Sequence, residues 1–155
     1  MKREEMRQSK FVRAGGLAIV VLVVAAKLFA QANVIEQRQN LMKLNSGAAR
    51  AIRVAIEAKD YATVGTKARE IMSNNTKITG LFPKGSTTGK TRATAAIWEK
   101  AEDFAKASKG LERAASELEA AAKTGNEAEV NTKFRSLGEA CASCHKAFRA
   151  ERDGE

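Results

Sequence analysis

Residues 126–148 read Asn-Glu-Ala-Glu-Val-Asn-Thr-Lys-Phe-Arg-Ser-Leu-Gly-Glu-Ala-Cys-Ala-Ser-Cys-His-Lys-Ala-Phe. Val130, Phe134, Leu137, Cys141, Cys144 and Phe148 recur at spacings of four and three, the period of a helix with one buried face. A half-buried strand would alternate every second residue, and this stretch does not. Gly125 suits the end of a preceding helix and Asn126 the start of this one. Both cysteines therefore lie on the buried stripe of a late helix.

Working back toward the N-terminus, the same period appears three more times. One run carries Ile35, Met42, Ala49, Ile52 and Ile56, with Arg38 and Asn45 as polar members of its stripe, and ends near Lys59-Asp60. A second carries Val64, Ala68, Ile71 and Ile78 and stops before the breaker-rich segment Gly80-Leu81-Phe82-Pro83-Lys84-Gly85-Ser86, which continues through Gly89. A third carries Ile97, Ala101, Phe104, Ser108, Leu111, Ala115, Leu118 and Ala122. One proline in 155 residues leaves these runs unbroken, and their Ala, Glu, Lys and Leu favour helix. Short connections between the first and second runs and between the third and fourth make neighbours antiparallel. The expected fold is all-α, an up-down-up-down four-helix bundle over residues 33–155.

Aromatic residues make up 5% of the chain, so alanine-rich helices have few large side chains with which to fill the space between them. A bulky apolar cofactor would supply that volume. Cys141-Ala142-Ser143-Cys144-His145 matches C-x-x-C-H, the attachment pattern of c-type haem. Cysteines at i and i+3 share one side of a helix and can each form a thioether to a vinyl group, while the next residue directs an imidazole to the iron. Other readings exist. A dithiol redox pair belongs in a βαβ setting rather than inside a late amphipathic helix. A structural zinc site needs four protein ligands, and two cysteines with one histidine fall one short unless a carboxylate joins them. A chance match would leave two inert buried thiols.

Residues 1–32 have a basic start with Lys2, Arg3, Arg7, Lys10 and Arg13, an apolar run from Ala14 to Ala26, and the small-residue site Ala30-Gln31-Ala32. That is the layout of a secretory signal peptide. Thirteen apolar residues fall short of the roughly 20 that cross a bilayer, so cleavage after Ala32 and a periplasmic location are expected, with a retained anchor as the alternative. Six Lys/Arg and two Asp/Glu lie in this segment, which lowers the formal +9 of the whole chain to 21 basic against 16 acidic residues, or +5. The remaining charges alternate in sign, as in Glu99, Lys100, Glu102, Asp103 and Lys106, which describes a solvated face and not a nucleic-acid stripe.

Together these features resemble the cytochromes c′ and their low-spin relatives, the class II c-type cytochromes, which carry the motif near the C-terminus. The resemblance spans residues 33–155. It rests on Arg38-Gln39 with Met42, Phe82-Pro83 and Gly85-Ser86, Ile97-Trp98, and the closing run from Cys141 to Arg149. It implies one haem c between the helices, His145 on the proximal side of the iron and Met42 on the distal side. Arg38, one turn before Met42, would pair with a haem propionate, with Gln39 nearby. Arg149 would sit close to the proximal imidazole, and Arg92 at the haem edge. Trp98 and Met72 read as packing.

The function so implied is a periplasmic electron carrier with His145 and Met42 both bound to iron. The string Arg38-Gln39-Asn40-Leu41-Met42-Lys43 looks more like the low-spin members. The alternative is a five-coordinate cytochrome c′ that binds nitric oxide or carbon monoxide in a vacant distal pocket. No catalytic acid, base or nucleophile is evident, so no enzyme activity is expected. Periplasmic or membrane redox proteins are the expected partners, and the family also admits a homodimer through the first two helices.

Overall fold

Helix formers joined by capping residues set the architecture before any long-range contact is made. The computed structural model describes residues 33–87 and 89–151, so the leader reading of 1–32 lies outside the described residues. Helix α1 covers 33–57, α2 Tyr61–Thr79, α3 Ala96–Glu99, α4 Ala101–Thr124 and α5 Glu127–Phe148. Asp60 caps α2: its carboxylate accepts from the Thr63 N–H at 3.0 Å and from the Thr63 hydroxyl at 2.6 Å. Gly125 ends α4 with φ 69°, a left-handed conformation that favours glycine. Asn126 then caps α5, its side chain accepting from the Glu129 N–H.

The four long helices form the expected antiparallel bundle. Gly65 on α2 lets that helix approach α4 closely: a β-carbon there would lie 3.6 Å from that of Ala122. Ion pairs Arg69–Glu119 and Lys133–Glu117 span α2–α4 and α4–α5, while Lys59–Glu127 ties the α1–α2 turn to the start of α5. Such exposed pairs align helices more than they stabilise them.

The third run departs from expectation. Instead of one helix from Ile97, there is a single turn, α3, then a break at Lys100 (φ −121°, ψ 49°) before α4. The first turn is held by the loop: Trp98 Nε1 donates to the Phe82 carbonyl at 3.0 Å. Ala101, expected on the buried stripe, is consequently exposed at the start of α4.

One continuous apolar cluster lies toward one end. A continuous cluster of buried side chains runs through Ala48, Ile52 and Ile56 of α1, Val64, Ala68 and Ile71 of α2, Leu111 to Ala122 of α4, and Val130 and Leu137 of α5, with Cys141 packed at its margin. Four of its members, Ala48, Ala55, Ala114 and Ala121, lie beside the stripes read from sequence. At the opposite end, among the described residues, Ile35, Arg38, Ile78, Ile97 and Phe148 are buried but stand outside that cluster. Cys144, His145 and Met42 belong to this second end.

Candidate haem site

Helix α5 places Cys141, Cys144 and His145 on its last two turns, all half-buried. Both cysteines are free thiols. Burial pushes the Cys141 and Cys144 thiols above the usual range, so neither is an activated thiolate. That environment disfavours the dithiol redox reading. Burial also holds His145 below its ordinary value, with the positive charges of Arg149 and Arg92 adding to the effect. The neutral imidazole so favoured is the form that ligates a metal. Among the described residues no group of three or more His, Cys, Asp or Glu side chains stands together as a metal cluster.

An open cleft of about 670 Å³ lies over this face, lined by Cys141, His145, Arg92, Lys146 and Arg149 among others. Arg149 is the extended residue that ends α5, its N–H still donating to the His145 carbonyl at 3.0 Å. Arg92 arrives by a different route. Residues 92–94 run antiparallel to 148–150: Thr94 N–H donates to the Phe148 carbonyl at 3.1 Å, Ala150 N–H to the Arg92 carbonyl at 2.8 Å, and Ala93 bridges Arg149. Arg92 Nε also donates to the Ala150 carbonyl at 2.8 Å.

Arg38 is 3% exposed, and its guanidinium is gripped by the loop between α2 and α3. Nη1 donates to the Leu81 carbonyl and to Ser86 Oγ, and Nη2 to the Ser86 carbonyl at 2.6 Å and to Thr91 Oγ1 at 2.8 Å. Its Cζ lies 4.5 Å from the centre of the Phe82 ring. Sequence spacing points Arg38 at a propionate; in the structure both terminal nitrogens serve the loop, which leaves Nε for such a contact. Gln39 is exposed and donates from Nε2 to the Lys90 carbonyl at 2.6 Å, on the same loop. Phe82 packs edge-on against Phe104, and Phe104 against Phe148, with centroids 5.1 and 5.2 Å apart. Sequence reading missed this aromatic ladder and the roles of Ser86, Thr91 and Lys146. The aromatic residue at Phe148, one turn past the motif, was its only local signal.

Met42 is half-buried on the same face of α1 as Arg38, yet it is not packed into the apolar cluster. Met72, by contrast, packs against that cluster, as its reading as a gap-filler implies. Thr94 Oγ1 is buried without a hydrogen-bond partner, beside the last turn of α5. A motif with neutral thiols, a neutral imidazole, an unpaired buried hydroxyl and an apolar core that stops at Cys141 together fit a haem seated at this end.

Comparison with known proteins agrees. Residues 33–149 match the family model described as Cytochrome C'. The chain is 34% identical over 139 residues to cytochrome c′ of Rhodospirillum rubrum, covering 87% of this chain and 94% of the relative. It is 37% identical over 145 residues to cytochrome c-554 of Cereibacter sphaeroides, covering 86% and 94%. A solved cytochrome c′ with ligand-controlled dimer dissociation superposes with a TM-score of 0.71 at 28% identity, covering 78% of this chain and 97% of that one.

Proposed function

This chain belongs to the cytochrome c′ family and carries one covalently attached haem c, and from that premise we propose that it is a ligand-binding cytochrome of the c′ kind, taking up nitric oxide or carbon monoxide. In this reading Cys141 and Cys144 hold the haem, neutral His145 ligates its iron, and Arg38, Gln39, Arg92 and Arg149 surround its edge. When bound, the haem supplies an iron that changes between ferrous and ferric and accepts a small diatomic ligand. The observation that carries the reading is Met42, a half-buried side chain left out of the apolar cluster at the haem end. Among the described residues of α1 it is the only methionine, and His145 is the chain's only histidine, so α1 offers no imidazole and one thioether, a weak ligand, toward the haem. The likeness to cytochromes c′, one of them named for ligand-controlled dissociation, supports the same reading.

The electron-carrier reading is second. It is favoured by Met42 sharing a face with buried Arg38 and by the likeness to cytochrome c-554. In it the Met42 sulfur would be a second iron ligand beside His145. Carbon monoxide binding to the reduced protein separates the two. The ligand-binding reading expects saturable uptake, altered in rate by Met42→Ala through pocket access alone, with the ferric spin state unchanged by the substitution. A low-spin ferric wild type that turns high-spin in Met42→Ala, with the near-infrared band of methionine ligation lost, would establish the carrier instead.

Export with loss of residues 1–32 is part of the proposal. Among the described residues no helix is long and apolar enough to cross a membrane. Homodimerisation is a further part. Leu44 and Val54 are 53% and 61% exposed on α1, with Gly47 and Ala51 between them at helical spacing. Sedimentation should show a dimer that Val54→Glu converts to monomer, and a wild type that sediments as a monomer at every concentration tested removes this part.

A further inference from the structure

Helix α1 carries two polar residues on its buried stripe, Arg38 and Asn45, with Met42 between them on the same face. Arg38 is gripped by the loop. Asn45 is half-buried, and its Oδ1 accepts from Nδ2 of Asn74 on α2 at 2.9 Å. Asn74 and its neighbour Asn75 are both buried. Nδ2 of Asn75 donates to the Ser108 carbonyl at 3.2 Å, to Ser108 Oγ at 2.8 Å and to Glu112 Oε1 at 3.3 Å. These side chains of α1, α2 and α4 form one polar level across the bundle. Ala48, Ile71 and Leu111, the next buried residues toward the short turns, already belong to the apolar cluster, whereas Met42 and Ile78 on the other side do not. The polar level therefore separates that cluster from the haem end.

Polar groups on such a seam cost stability unless their hydrogen-bonding atoms find partners. Of the three amide nitrogens at this level, those of Asn74 and Asn75 serve the protein. Nδ2 of Asn45 makes no hydrogen bond among the described residues. Its amide is nonetheless held in place through Oδ1, one helical turn from Met42. We propose that Asn45 is the hydrogen-bond donor to the diatomic ligand on the distal side, positioned by Asn74, and that it favours nitric oxide over carbon monoxide. The inference rests on the ligand-binding reading above, since Met42 bound to the iron would keep such ligands out. The two gases are close in size, so an apolar wall adds little to the iron's own preference between them. A fixed N–H adds more, because it rewards the ligand whose terminal oxygen gathers more negative charge on binding.

The test uses reduced holoprotein with carbon monoxide and nitric oxide as probes. The carbon–oxygen stretching frequency of the bound carbon monoxide should rise in Asn45→Leu, and nitric oxide should dissociate roughly three- to tenfold faster, with a smaller change for carbon monoxide. Asn45→Asp keeps the acceptor for Asn74 but has no N–H, so its stretch should rise as well. Asn74→Ala should broaden or split the band, because the donor loses its brace. Asn75→Ala should leave the frequency unchanged, since its donors are used by Ser108 and Glu112. A wild-type frequency in Asn45→Leu or Asn45→Asp, or an equal shift in Asn75→Ala, would overturn the donor role alone. A reduced wild type that takes up no carbon monoxide would overturn the ligand-binding reading and this role with it.

Discussion

Covalent haem should be lost in two steps as the motif cysteines are removed. Cys141 and Cys144 are half-buried on one side of α5, three residues apart, so each is placed to make its own thioether. Serine is close to cysteine in size and the positions are helical, so Cys141→Ser and Cys144→Ser leave the bundle intact in outline. Each single variant should keep at most one link and accumulate far less holoprotein. The double variant should carry no haem through denaturing electrophoresis. Because the apolar cluster ends at Cys141, the haem-free chain also lacks filling at the motif end. Its loss should therefore appear as lower thermal stability as well as missing colour. Haem that survives denaturation in the double variant would place the attachment elsewhere.

The second large effect is expected at Arg38. Its two terminal nitrogens satisfy Leu81, Ser86 and Thr91, and its Cζ lies over Phe82, the first ring of a ladder that reaches Phe148. Arg38→Ala removes all of these at once and leaves Ser86, a fully buried residue, without its partner. Each stranded buried group costs about 1–3 kcal/mol, so a total of roughly 3–5 kcal/mol is expected after partial relaxation and access of water. For a bundle of this size that lowers Tm by roughly 10–20 °C. Arg38→Lys keeps the charge but concentrates its donors at one atom, and should recover only part of the loss. Thermal unfolding of the holoprotein followed by circular dichroism measures both. A fall in Tm of less than about 3 °C for Arg38→Ala would mean that the loop does not depend on this clamp.

These two cases show what the residue pattern could reveal. Helical period, the Gly125 and Asn126 caps and the C-x-x-C-H string are local signals, and they locate the bundle, its last turn and the motif without reference to the fold. Arg38 was recognisable as a polar residue on a buried stripe and, through the family resemblance, as a propionate partner, but not as a clamp on the loop. Its partners lie 43 to 53 residues away in a loop, and no spacing rule connects them. Arg92 reaches the cleft through antiparallel pairing with the chain end, another long-range contact that helical periodicity cannot express. The break at Lys100 was hidden because Ala, Glu and Lys favour helix, whereas Trp98 is held by the Phe82 carbonyl. The buried alanines outside the expected stripes were ambiguous for a related reason: alanine promotes helix on every face and marks a seam only once neighbours are known.

The central claim is that Cys141 and Cys144 bind the chain's haem covalently in an exported protein, and intact mass under denaturing conditions tests it most directly. The account predicts a single species equal to residues 33–155 plus one haem, and a haem-bearing tryptic peptide spanning residues 136–146. A polypeptide mass without haem, with both cysteines recovered as free thiols or as a disulfide in that peptide, would contradict it.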